Sequence, residues 1–154
     1  MKIKERKYGL LFNDIARFRG IMFDQMLADD GLTHVQAFVI NHLYNTDGLT
    51  QTELSERMDV GTVTVSGLVD RLEAHGWVER RVDEKDRRAK RIWLTSKVGS
   101  IRQKMFDGIE QVNDVAFEGL SEEDVEHFVR MLKNAKAKLS AKLGDMAQDQ
   151  AKIG

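Results

Sequence analysis

Within the stretch VDEKDRRAKRIWLT, residues 82–95, stand Lys85, Arg87, Arg88, Lys90 and Arg91, in a chain of 154 residues whose formal net charge is -1. From Glu79 to Arg91 there are seven bases and four acids, an excess of +3. Acids elsewhere, such as Glu122, Glu123, Asp124 and Glu126, balance it. A basic patch segregated in this way suits a polyanion, because neutralising phosphates releases their condensed counterions. The plainer alternative is a solvated hairpin whose charges pair across its strands.

A second group of residues precedes that stretch. In TVTVSGLVDRLEA, residues 62–74, the apolar Val65, Leu68, Val69 and Leu72 are spaced for one inward helix face. The opposite face then carries Val63, Gly67, Asp70 and Ala74, flanked by Thr62, Thr64, Ser66 and Arg71. Hydroxyls near a helix start suit phosphate oxygens or base edges, and Val63 suits a thymine methyl. Ordinary helix capping is the alternative use of Thr62 or Thr64. Asp70 repels phosphate, so it is expected to pair with Arg71 or Arg81. The four histidines, His34, His42, His75 and His127, offer no pair at metal-ligand spacing on one helix, and no metal site is predicted. His42 reads as a satisfied, buried histidine. The absence of Cys excludes disulfides, thiolate metal sites and thiol redox sensing. No nucleophile elbow or glycine-rich phosphate loop occurs, and Glu122-Glu123 sits at an exposed helix start, so no enzyme is predicted.

These groups need elements to position them. The composition, 42% hydrophobic and 32% charged, suits one folded domain spanning 1-154. No signal peptide or membrane span is apparent, which makes the cytoplasm the default location. Tyr8, Leu11, Phe12, Ile15, Phe18, Met22, Phe23 and Met26 form a stripe along a first helix ending near Asp29-Asp30-Gly31. Thr33 with Gln36 makes a capping box for a second helix, apolar on nearly every side through Val35, Phe38, Val39, Ile40 and Leu43, and hence expected to be buried. Thr50 with Glu53 opens a short helix over Gln51–Met58, Asp59-Val60-Gly61 breaks it, and another helix runs from Thr62 to Ala74. Trp77–Val82 and Lys90–Leu94 then read as a β-hairpin around a turn at Asp83–Ala89. Thr95 is expected to cap a long helix marked by Val98, Ile101, Met105, Ile109, Val112 and Ala116. Ser121 with Asp124 opens the last helix, marked by Val125, Phe128, Val129, Leu132, Leu139 and Leu143 and expected to fray after Gly144. The methionines Met22, Met26, Met105 and Met131 suit an adaptable core or interface. Helix, glycine turn, helix and charged hairpin together make a winged helix-turn-helix. The fold class is therefore mainly α with a small β-hairpin wing (α+β), the winged helix at about 33-97 and flanking helices at about 5-30 and 98-144.

LTQTELSERM, VSGLVDRLEAHGWVERR and DRRAKRIWLT resemble the MarR family of winged-helix transcription regulators, in its MarR/SlyA-like branch. The resemblance covers Leu32 to Thr95 by motif, with Asp86, Arg88, Leu94 and Thr95 as the wing signature, and the flanking helices by arrangement. It implies a homodimer paired through its N- and C-terminal helices, binding a near-palindromic operator in double-stranded DNA as a repressor. In the wing it implies that Arg88 enters a minor groove and that Asp86 orients its guanidinium. Thr62, Val63, Thr64, Ser66 and Arg71 would meet the major groove, with Arg87 and Lys90 beside Arg88. Gly67 departs from the larger side chain common there. Release by a small aromatic or phenolic acid is also implied, with Arg17, His34 and Phe38 as the candidate residues; no other cofactor is expected. The alternatives are a core role for Phe38, a first-turn polar role for His34 and a cross-dimer ion pair for Arg17. A dimeric interaction module without specific DNA binding is the rival function.

Overall fold

The computed structural model describes residues 7–84 and 86–151; Lys85 and the side chain of Tyr8 lie outside the described residues. Its elements run α1 (Lys7–Leu27), α2 (His34–Asn45), β1 (Leu49–Thr50), α3 (Gln51–Met58), α4 (Thr62–Ala74), β2 (Val78–Val82), β3 (Lys90–Leu94), α5 (Arg102–Ala116) and α6 (Glu122–Ala151). Short 3-10 turns lie at Ala28–Asp30 and Ser96–Ser100. The chain divides into two compact units, Met1–Val112 and Asn113–Gly154.

Both capping boxes of the first unit close as their spacing predicts. Thr33 accepts from the Gln36 N–H while Gln36 takes the Thr33 N–H, and Thr50 and Glu53 do the same. Two orphan donors at each helix start are thereby satisfied. Asp59 ends α3 in the left-handed region at φ 58°, and Ser55 donates its hydroxyl to Val60 O at 2.6 Å, which fixes the turn into α4. Val65, Leu68, Val69 and Leu72 are buried from α4, against Val39, Ile40 and Leu43 of α2, Leu54 of α3 and Ile92 of β3. Each such aliphatic side chain contributes roughly 1.5–3 kcal/mol by leaving water.

The sheet is larger than a hairpin. Its order is β1-β3-β2, all antiparallel, with Leu49 opposite Ile92 and Thr50 opposite Arg91. On the other side of β3, Val78 faces Leu94 and Val82 faces Lys90. Three further expectations change. Thr95 does not cap a helix: its hydroxyl donates to Gly76 O at 2.7 Å and Trp77 O at 3.3 Å, tying the end of β3 to the α4–β2 corner. The second helix is not buried all round, because Phe38 is 48% exposed. Gly144 does not fray the last helix, which continues to Ala151, as a lone glycine costs only about 1 kcal/mol in a helix this long. Met131 is exposed, whereas Met105 is buried.

In the second unit Ser121 and Asp124 close the expected cap, with Asp124 N–H donating to the hydroxyl at 3.2 Å. That hydroxyl donates to the Asp124 carboxylate at 2.6 Å and the Ser121 N–H donates to it at 3.3 Å, and these two bonds hold the carboxyl below its ordinary range. Phe117 and Phe128 pack edge to face at 5.9 Å.

Candidate nucleic-acid interface

Gly61 occupies the N-cap of α4 without a side-chain bond, so neither Thr62 nor Thr64 caps the helix. Both are exposed, and Val63 between them is 85% exposed. Gln51 reaches across from α3 to donate to Thr62 O at 3.1 Å, which fixes the approach of this turn. Ser66 and Gly67 are half-buried and Arg71 is exposed further along. The front of α4 thus presents hydroxyls around a solvent-facing valine, with the buried face behind it anchored in the core.

The bases of the hairpin separate into two groups. Arg80 is tied to α4, at 2.6 Å from Asp70 and 2.5 Å from Glu73, while its N–H donates to Glu73 at 2.9 Å. Asp70 therefore pairs with Arg80 and not with Arg71 or Arg81: β2 brings Arg80 over the end of the helix. Arg81 pairs with Glu79 and lies 5.3 Å from the centre of the Trp93 ring. Arg91 binds Asp83 and Gly48 O. Arg87, Arg88 and Lys90 are exposed, and among the described residues no side-chain bond engages them.

The turn joining β2 to β3 is internally bonded. Asp83 N–H donates to Ala89 O at 3.0 Å and Ala89 N–H to Asp86 O at 2.9 Å. The Asp83 carboxylate, on a residue only 6% exposed, accepts from Asp86 N–H at 3.1 Å. Asp86 accepts from the backbone N–H of Arg88 at 3.0 Å. The expected carboxylate–guanidinium pair between Asp86 and Arg88 is not what the wing contains; Asp86 orders the backbone that carries Arg88, a short-range turn bond typical of aspartate. Asp83 and Arg91 are the residues that sequence reasoning missed. The β2–β3 register, with Arg81 opposite Arg91 and Val82 opposite Lys90, brings Asp83 and Arg91 together, while the pairing of Thr50 with Arg91 brings Gly48 and Glu53 to the same guanidinium; a two-residue strand leaves no periodicity to read.

A cavity of about 510 Å³ lies in the first unit, lined from α1 by Arg19, Gly20 and Phe23, from α2 by His34, Phe38 and Asn41, and from α5 by Met105 and Ile109. His34 and Phe38 both line it. Arg17 does not line it: the side chain is exposed, pairs with Asp14 at 2.7 Å and covers Phe18 at 4.5 Å. Two residues further along the helix, Arg19 has rotated onto the cavity side. Asp24 accepts from both the N–H of His34 at 2.5 Å and its Nδ1 at 2.9 Å, which fixes the imidazole against Gly20. A Cβ at Gly20 would stand 2.9 Å from that ring, so only glycine admits it.

His42, one turn beyond Phe38, meets that ring edge-on at 4.5 Å. Its Nε2 is buried without a partner among the described residues, so it is not the fully satisfied histidine expected. Burial, and then the charge of Arg57, hold its imidazole below the ordinary value of 6.5.

Residues 30–89 match the model of the MarR family. The chain is 35% identical over 86 residues to the HTH-type transcriptional regulator TtmR of Methylorubrum extorquens (strain PA1). That match covers 56% of this chain and 44% of TtmR, so it spans less than half of that relative's length. It is 28% identical over 129 residues to the HTH-type transcriptional repressor YetL of Bacillus subtilis (strain 168), covering 82% of this chain and 77% of YetL. Among solved structures it is similar to Bordetella bronchiseptica BpsR, whose DNA binding is regulated by 6-hydroxynicotinic acid. The TM-score there is 0.75 with 22% identity, over 88% of this chain and 96% of BpsR. Residues 30–89, from the turn before α2 through the wing turn, thus match the MarR family model, and the fold over most of the chain is shared with BpsR.

Proposed function

We propose that the protein is a cytoplasmic, ligand-responsive repressor that binds a near-palindromic operator as a homodimer. The observation that carries the reading is the front of α4: Val63 at 85% exposure between two exposed threonines, beside a wing whose Arg87, Arg88 and Lys90 face solvent. A valine so placed contributes nothing to the core and suits a thymine methyl, while the threonines suit phosphates or base edges. Arg88 suits a narrow minor groove, where negative potential concentrates. The name of YetL supports repression as the direction.

The dimer reading rests on apolar faces left in water. On α1, Leu11, Phe12, Ile15 and Phe18 are 53%, 58%, 49% and 52% exposed; on α6, Leu139 and Leu143 are 68% and 59% exposed. Contiguous apolar surface of this kind marks an interface, and a second copy satisfies both faces.

The cavity is of a size that holds small ligands. Arg19, in place of Arg17, supplies a guanidinium for a carboxylate; His34 and Asn41 supply polar edges, and Phe23 and Phe38 supply aromatic walls. A small aromatic or phenolic acid fits that set, and the regulation of BpsR by 6-hydroxynicotinic acid supports the class.

The test is a duplex selected from a random-sequence pool by the wild-type protein, then titrated by fluorescence anisotropy. Val63→Ala is expected to weaken binding by ~1 kcal/mol, and Arg88→Ala by about 1–3 kcal/mol, with melting temperature unchanged in both. Failure of the wild type to select any duplex rejects the reading and favours the dimeric interaction module. An aromatic acid that raises the melting temperature and releases DNA, both effects lost in Arg19→Ala, supports the ligand assignment.

A further inference from the structure

We infer that Arg91, although it lies in the most basic stretch of the chain, is a positioning residue that locks the wing to the helix-turn-helix rather than a contact to DNA. The inference rests on the DNA-binding reading above. Arg91 stands on the central strand, opposite Thr50 on one side and Arg81 on the other. Its guanidinium has three partners. Nε donates to the Asp83 carboxylate at the base of the wing, Nη1 donates at 2.8 Å to Gly48 O in the turn before β1, and Nη1 stands 3.7 Å from Glu53 of the α3 cap. One side chain therefore joins the base of the wing, eight residues away, to the turn and helix cap at Gly48 and Glu53, with Gly48 43 residues away.

The bonds continue into the wing. Asp83 gives one oxygen to Arg91 and the other to Asp86 N–H, and Asp86 in turn holds the backbone of Arg88. Asp83 is 6% exposed, and a carboxylate so buried needs a cationic partner. The rigid fork of a guanidinium can serve acceptors in several directions at once, where an ammonium acts as a point charge. With Nε and Nη1 committed inward, Arg91 is poorly placed to meet phosphate. Removing it takes away the guanidinium bond to Asp83 and, through Asp83, loosens the turn that presents Arg88.

The test uses the full chain, a fluorescein-labelled duplex selected as above, and hydrogen exchange without DNA. Arg91→Ala is expected to weaken binding by about tenfold, the size of one well-placed contact. Asp83→Asn should weaken it similarly although it deletes an acid, and the double variant should be no worse than either single one, as for two residues acting through one interaction. The slope of log affinity against log salt should stay at the wild-type value in all three, whereas Arg88→Ala removes about one unit. In Arg91→Ala the amides of Asp86, Arg88 and Ala89 should exchange faster while those of α4 do not. A salt slope lowered by about one unit in Arg91→Ala, with wing exchange unchanged, would make Arg91 a phosphate contact and overturn the inference. So would tighter binding in Asp83→Asn. Should Arg91→Ala fail to fold, Asp83→Asn carries both arms. Should the wild type select no duplex, the DNA-binding reading falls, and exchange alone decides the clamp: unchanged wing amides reject it.

Discussion

Asp86 accepts the Arg88 N–H through a single oxygen, and that oxygen sets a sharp expectation. Simple electrostatics says that deleting an acid near DNA tightens binding. The turn geometry says the reverse, because Asp86→Ala frees the backbone of Arg88 and loses a bond worth about 1 kcal/mol. Asp86→Asn keeps an oxygen in the same place, so it should bind an operator duplex at least as well as wild type while Asp86→Ala binds more weakly. Anisotropy titration of the three proteins separates the roles: equal losses in both variants would restore a charge-based role. His42 gives a second expectation at this scale. Its folded-state value lies below 6.5 because burial and Arg57 disfavour the cation. Between that lowered value and 6.5 the unfolded chain binds more protons, so stability falls as pH drops through this window. His42→Phe should flatten the fall of melting temperature as pH drops below 6.5 in thermal scans, relative to wild type.

The elements were legible in the sequence wherever a local signal set them. Thr33–Gln36 and Thr50–Glu53 name their helix starts because a capping box is closed by residues three apart, and α4 appears with its inward face intact because Val65, Leu68, Val69 and Leu72 repeat at helical spacing. What escaped was set by long-range contact. Leu49 and Thr50 become strand only because Ile92 and Arg91 pair with them. Arg19 replaces Arg17 in the cavity because a step of two residues, about half a helical turn, decides which guanidinium faces the cavity, and a stripe broad enough to serve two surfaces does not reveal that phase. Arg80 takes Asp70 because the hairpin folds back onto α4. The turn between α2 and β1 shows how tightly the elements meet. Gly48 sits at φ 73°, and a Cβ there would be 2.6 Å from the Trp93 indole. Gly48→Ala combines a left-handed backbone with a clash, and should cost about 2–4 kcal/mol in urea unfolding. A loss below about 1 kcal/mol would mean that the indole moves aside without penalty.

The whole molecule carries its apolar excess on the outside. Leu11, Phe12, Ile15 and Phe18 lie on α1 of the first unit, while Leu139 and Leu143 lie on α6 of the second. Among the described residues no helix is long and apolar enough to cross a membrane, so these faces are not read as membrane spans. A constitutive dimer is the expected state. Sedimentation should give twice the chain mass at micromolar concentration, and the melting temperature should rise with protein concentration. Phe12→Glu with Ile15→Glu should yield a monomer of lower melting temperature, and operator affinity should collapse because one protomer reaches only one half-site. Wild-type sedimentation as a monomer would defeat this reading.

The chain has two tryptophans, Trp77 directly before β2 and Trp93 on β3 of the sheet that bears the wing. Trp77 is 2% exposed beneath the Lys97 ammonium, while Trp93 is half-buried between Gly48 and the Arg81 guanidinium. The protein therefore has built-in optical probes of two kinds. A soluble quencher should reach Trp93 and spare Trp77, so emission can be divided between the surface of the sheet and its core without any label. Release of the Arg91 clamp and docking of a duplex would then each leave a different optical signature on the same two rings.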